Sequence, residues 1–503
     1  MRRLAVAAAL AVLGLAPASA LAEQSDNVRS VASLPELKAA ISINFIGDSM
    51  FVSTASGVYA YDVSQPAEPK LLSALTIPVW ENEDVDLDPV RKRLFVSRDP
   101  RGFTSPAVPG SVFPYGAVHV IDVSDPSDLR QLNFFLVPAG HTTTCVNRCD
   151  FVWTAGPGAS VTTQPSDWEG RPIFATDVRE PMDPKPCPHP IDTGRDDGTT
   201  SYVHDVQVDA AGVAWVSGQG GVRGYWTEGR HLDPVSGRVT AATACDPVPY
   251  AGSGTPKEAT SSRFMHNAWR DYTPPPRRDK SRRARVRERS RVTRDLHRRN
   301  GRKRGTAKRR AAVAPAPQPA AAPALTRNDV LLGTEENIVT DCATSGRFVT
   351  YDLRGTYAGE GFKDTARTHH RMRVLDTWTP EKQDGSSGCD SSHYFTSRGD
   401  GITANAFYTQ GVRFLDTSNP TDIRQVGYWR PADTDVWAAY WHNGYVYVAD
   451  FTRGVEVLRF AGAAGRSGAV RAPALPAAAR AQPGLRFSRH AFGGLCPLNV
   501  PKA

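Results

Sequence analysis

GAVHVIDVSDP, residues 116–126, is the stretch whose reading decides the fold. A glycine opens a run of alternating apolar residues, an aspartate closes it, and Ser-x-Pro makes the turn that follows. The phrase returns as GVYAYDVSQP at 57–66 and as GVRFLDTSNP at 411–420. Looser copies are PIFATDV at 172–178, GVRGYW at 221–226, GRFVTYDL at 346–353 and GVEVLRF at 454–460. A strand-built unit recurring at intervals of roughly 40 to 60 residues is the sequence mark of a β-propeller.

Each copy takes a place in a four-stranded unit. The glycine-to-aspartate phrase is the third strand, and KLLSALTI (70–77), RQLNFFLV (130–137) and RQVGYW (424–429) are fourth strands. Second strands precede the glycine: MFVST (50–54), RLFVS (93–97), VAWVS (213–217), ITANAF (402–407) and YVYVAD (445–450). The units fall at about 39–80, 81–139, 140–195, 200–252, 261–383, 385–432 and 433–460. The expected fold class is therefore all-β, a propeller of seven four-stranded blades over 27–460, with six and eight blades as the alternatives. The last unit lacks its fourth strand, and residues 27–33 are placed to supply it and close the ring.

Composition bounds the rest. The chain has 503 residues, 42 Gly and 39 Pro, as a fold of many tight turns requires. Arg2 and Arg3, an apolar run over 4–15 and small residues at Ala18, Ala20 and Ala22 read as a signal peptide, residues 1–22. That run is too short to span a bilayer. The expected location is secreted or extracellular, associated with the cell envelope. Export favours disulfides over zinc for the seven cysteines. Cys145 with Cys149, Cys187 with Cys245 and Cys342 with Cys389 are the expected pairs, Cys496 being left over.

The net charge of +8 is not spread evenly. Residues 277–310 hold 18 Lys/Arg against three acids, so the remainder carries 42 basic and 49 acidic residues. With the Ala/Pro-rich run that follows, 277–327 reads as a disordered insertion within unit five, and 461–503 as a flexible tail. A basic loop outside the cell fits an anionic envelope polymer, with a protein partner as the other possibility. It lacks the aromatics for base stacking, so specific nucleic-acid binding is not expected.

The phrases VHVIDVSDP (118–126) and VRFLDTSNP (412–420) resemble those of the LVIVD-repeat proteins, exported or surface β-propellers of bacteria and archaea. The resemblance covers roughly 39–460 and implies fold and export. It carries no reaction, and GVRGYW lacks its aspartate and turn.

Alignment on the second strands brings out one chemical pattern. His204 and His393 stand at the same offset ahead of their second strands, and His266 and His141 fall close to that place. In unit two Glu83-Asp84-Val85 matches His204-Asp205-Val206. First strands line the central channel, so His141, His204, His266, His393 and Glu83 could converge on one transition-metal ion. Asp205, Glu335 and Glu336, beside Glu83 itself, are acids able to orient the rings. Iron-dependent carotenoid oxygenases use a four-histidine arrangement on a propeller, an analogy of site only. Shared packing in a repeat is the competing explanation. His119, His442, His369 and His370 read as solvent-facing or turn residues. Two functions follow: a binding module at the cell envelope, or a metal-dependent oxidase or hydrolase.

Overall fold

A computed structural model describes residues 23–100, 116–156, 172–193, 203–219, 221–251, 264–274, 325–337, 345–354, 372–385 and 390–473. Seven antiparallel sheets follow one another along the chain, over 40–76, 86–137, 142–186, 203–249, 265–378, 395–430 and 436–460. Each pairs its strands in sequence order, the first innermost. The protein is a seven-bladed β-propeller. Residues 1–22, read above as a signal peptide, the basic insertion over 277–310, Cys342, Cys389, Cys496, His369 and His370 lie outside the described residues.

The ring closes by chain exchange. Val28–Leu34 pairs antiparallel with Gly454–Phe460, giving blade 7 the outer strand it lacks in sequence order. Glu23–Gln24 adds to the outer edge of blade 6 along Arg424–Arg430. Both additions cover strand edges that would otherwise be open to pairing.

The recurrent glycine has a steric cause. A Cβ on Gly57 would lie 2.5 Å from the carbonyl oxygen of Leu75 in the fourth strand. At Gly411 it would lie 2.1 Å from that of Trp429, and φ there is +70°. No side chain fits where the third strand opens against the fourth. The recurrent aspartate is equally local. Asp62, Asp122 and Asp416 accept the amides of Ser64, Ser124 and Ser418 at 2.8, 2.9 and 3.0 Å, folding the turn before the fourth strand.

Burial grades outward within each blade. In blade 1 all but the first residue of the second strand, Ser49–Thr54, are buried, whereas Lys70–Thr76 on the rim is mostly exposed. Blades pack face to face through apolar side chains, as where Phe51, Val58 and Ala60 meet Leu94, Val96 and Ile121. Two disulfides, Cys145–Cys149 and Cys187–Cys245, tie blade 3 internally and to the outer part of blade 4. Among the described residues no helix is long and apolar enough to cross a membrane.

Candidate functional site: a histidine cluster on the propeller axis

The innermost strands decide what faces the axis. In blades 4 and 5 the first strand carries a β-bulge at its second residue: Val203 pairs Gly218, Asp205 pairs Ser217, and His204 is the extra residue between them. Likewise Met265 pairs Glu335, Asn267 pairs Thr334, and His266 is extra. A bulge re-aims one side chain out of the alternation, here toward the centre. His141 and His393 stand just ahead of their first strands, their amides bound to the carbonyls of Ala155 and Ala406 at 3.0 Å each.

Glu83 arrives differently. Trp80 and Asp84, at φ of 58° and 50°, bracket it in left-handed backbone that such residues rarely adopt. The Asn82 amide holds the bend through the carbonyls of Thr54 and Trp80, at 3.1 and 2.7 Å. Glu83 then forms a parallel bridge with Thr142 of blade 3, which puts its carboxylate on the axis.

The structure thus brings together all five residues expected from the sequence, each buried. Glu83 Oε2 lies 3.6, 3.5 and 3.0 Å from Nε2 of His141, His204 and His266, and Oε1 lies 3.5 Å from Nε2 of His393. Nε2 of His141 is 3.0 Å from Nε2 of His204. Every ring presents the same nitrogen to the same place.

The opposite nitrogens fix the tautomers. Assigned from the hydrogen-bond network, Nδ1 of His204 donates to the carbonyl of His266 at 3.2 Å, and Nδ1 of His393 to that of Trp437 at 2.5 Å. Nδ1 of His141 donates to Asp99 Oδ2 at 2.9 Å. These bonds leave the Nε2 lone pairs of His141, His204 and His393 pointing inward, the state in which imidazole ligates a metal. Two such lone pairs 3.0 Å apart repel unless a proton or a metal cation lies between them. That separation also suits ligation: two nitrogens at about 2.1 Å from one ion and at right angles stand about 3.0 Å apart.

Electrostatics agree. Burial, then the charges of His266 and His141, holds His204 well below its ordinary pKa. Burial, with His393 beside it, brings His266 down to about 3. Burial opposes ionisation of Glu83, but the imidazoles of His393, His141 and His266 outweigh it and hold the carboxyl well below the usual range. For His393 the Glu83 carboxylate outweighs burial and raises the ring. The centre sets an anion beside His204 and His266, both held neutral, a set complementary to a divalent cation.

Acids continue along the axis. Asp84 accepts from Thr144 at 2.7 Å and from Gln207 at 2.8 Å. Burial pushes Asp86 and Asp205 up to about 7.

Several sequence expectations need correction. Glu335 does not orient a ring; it pairs with Arg347 at 2.6 Å. Asp205 turns to the amide of Val206 and to Gln207, at 2.7 and 3.3 Å. His119 is not solvent-facing but buried, its ring 2.8 Å from Gln131. His442 does stand at the Asn443-Gly444 turn, where it stacks on Phe45 and bonds the Gly47 carbonyl at 2.8 Å. Asp99, the acid that does orient a ring, was missed. It directly follows the second strand of blade 2, Arg93–Arg98, near the place where Asp450 ends that of blade 7, and the repeat alignment could have found it. Tyr408, whose phenol bonds Glu336 beside the cluster, had no such signal.

No known sequence family matches the chain, and no curated protein matches it. In structure it is similar to the β-propeller domain of Cps50 (Swd1) from Myceliophteria thermophila, at TM-score 0.48 and 8% identity over 86% of this chain and 100% of that one. It is similar also to a periplasmic gluconolactonase of Pseudomonas aeruginosa (TM-score 0.46, 12% identity, 87% and 97% covered). A third is Raptor from Chaetomium thermophilum (0.47, 10%, 88% and 30%). These likenesses are of fold alone.

Proposed function

We propose that this propeller is an exported metalloprotein that holds one transition-metal ion on its axis, through Nε2 of His141, His204, His266 and His393 with the Glu83 carboxylate as an oxygen ligand. The single observation that carries this reading is the aim of four buried Nε2 atoms at one carboxylate, two of them 3.0 Å apart. Shared packing in a repeat accounts for similar positions; it does not account for fixed tautomers whose lone pairs face one another. Four imidazoles and one carboxylate suit iron, copper or manganese and leave one octahedral position for a small ligand. Such a set favours the oxidase among the two enzyme classes, since zinc hydrolases commonly keep three protein ligands. The apolar leader and the two disulfides support export.

Elemental analysis of the mature protein, purified without chelators or a His-tag, tests the proposal beside a His204→Ala/His393→Ala variant. Near-stoichiometric metal, lost in the variant, is the expected result. A metal-free protein that also refuses added iron, copper, zinc and manganese overturns it.

A compatible second role rests on charge. The 18 Lys/Arg of residues 277–310 support anchoring to an anionic envelope polymer, as the resemblance to surface-located LVIVD-repeat proteins also favours. Deleting 277–310 should reduce envelope retention; retention equal to wild type removes the idea.

A further inference from the structure

A second carboxylate stands within reach of the imidazoles. One oxygen of Glu336 and one ring nitrogen each of His204 and His266 lie within 4.8 Å of one another, which makes Glu336 a candidate ligand beside two of the four rings. The same carboxylate is also bonded by a phenol. Tyr408 Oη donates to Glu336 Oε1 at 2.6 Å, and both residues are fully buried.

The backbone shows that the tyrosine is held where it is. Tyr408 has a φ of 38°, a conformation unfavourable for a bulky residue and sustained only where surrounding structure imposes it. Its carbonyl accepts the amides of Gly411 and Val436, at 3.0 and 3.1 Å, which pins the turn between the second and third strands of blade 6 against blade 7. Its ring lies 4.7 Å from that of His393 and packs with Ile41, Trp437 and Phe451. The phenol is therefore anchored independently of Glu336, as a restraint must be.

We propose that Tyr408 is a positioning residue, a latch that keeps Glu336 out of the metal's coordination shell so that one position stays open to an exogenous ligand. The inference rests on the metal-centre reading above. A hydrogen bond to a buried carboxylate is worth about 1.5–3 kcal/mol, a factor of about 10 to 100. Without the phenol, that much less opposes rotation of Glu336 toward the ion, and the carboxylate then competes with incoming ligands.

The test uses cobalt(II)-loaded, full-length mature protein titrated with azide and followed by the cobalt absorption bands. Tyr408→Phe keeps the ring packing and should weaken azide binding about 10- to 100-fold. Tyr408→Phe/Glu336→Gln should recover wild-type azide affinity, because an amide is a poor competitor for the ion. A phenol that merely stabilised the fold would lower the unfolding temperature without this rescue. Unchanged azide affinity in Tyr408→Phe, loss not rescued in the double variant, or a wild-type cobalt protein with no azide response overturns the latch alone. Failure of the wild-type protein to take up cobalt overturns the metal centre with it.

Discussion

Blades 4 and 5 on one side of the axis, and blades 1 and 7 on the other, use one backbone device for opposite chemistry. In each the first strand bulges at its second residue, and the extra residue is His204, His266, Ile41 or Trp437. All four are buried at the same station of the repeat. The imidazoles join His141, His393 and Glu83, whereas Ile41 and Trp437 pack with Phe451 and Tyr408 into an apolar wall. Geometry at this level is a property of the repeat; chemistry is a property of the single residue that the bulge presents. Tyr408 lies at the seam, its ring 4.7 Å from that of His393 and 6.5 Å from that of Trp437.

The sharpest way to break this comparison is to truncate both halves. Trp437→Ala should cost about 3–5 kcal/mol in urea unfolding while metal content holds, because a large apolar side chain leaves a cavity. His266→Ala should lose the metal at a cost below about 2 kcal/mol to the metal-free protein. Nδ1 of His266 lacks a hydrogen-bond partner and Nε2 meets the Glu83 carboxylate at 3.0 Å, so removing the ring relieves a buried polar atom and offsets part of the lost packing. Equal stability losses with metal retained in both would erase the distinction between halves.

Fastening also differs. The two disulfides sit on blades 3 and 4, spanning 58 and 4 residues, whereas blade 7 closes by strand pairing alone. Loop-closure entropy predicts a loss of about 4 kcal/mol for Cys187→Ser/Cys245→Ser and about 2 kcal/mol for Cys145→Ser/Cys149→Ser. Denaturant midpoints with unchanged slopes measure both, and a reversed order would argue against the entropic account.

A smaller effect separates the acids from the rings by sign. Asp86, raised to about 7 by burial and by Asp84, binds its proton more tightly folded than unfolded. Its stabilising contribution is full below about pH 4 and lost as pH rises through about 7. His266, lowered to about 3, acts oppositely, so its penalty grows as pH falls from about 6.5 toward 3. Asp86→Asn keeps an acceptor for the Cys145 amide, now 2.6 Å away, and cannot ionise. Metal-free Asp86→Asn should gain on wild type between pH 4.5 and pH 8 by about 2 kcal/mol, half the ceiling set by the shift. No relative gain in urea midpoints across that range would show that Asp86 titrates normally.

Fold and site were legible to different depths. Blade strands could be read because Gly57, Asp62 and their equivalents answer local demands, a close carbonyl and a turn amide, that recur wherever the blade recurs. Offsets from the second strand placed His204 and His393 at one level because the blades are related by rotation about the axis. His119 failed for a local reason: alternation does not reveal that both faces of Gly116–Asp122 are covered.

By itself the sequence determined the strand phrases, the turns between them and the circular closure, since each depends on neighbours within one unit or on an unpaired edge. Only the tertiary structure decided that four Nε2 atoms face one carboxylate, that Asp99 rather than Glu335 or Asp205 orients a ring, and that Tyr408 bonds Glu336. The physical reason is that these contacts join different blades, so that residues 42 or more positions apart in sequence meet. Their distances depend on bulges and left-handed turns of one or two residues, which no local pattern records.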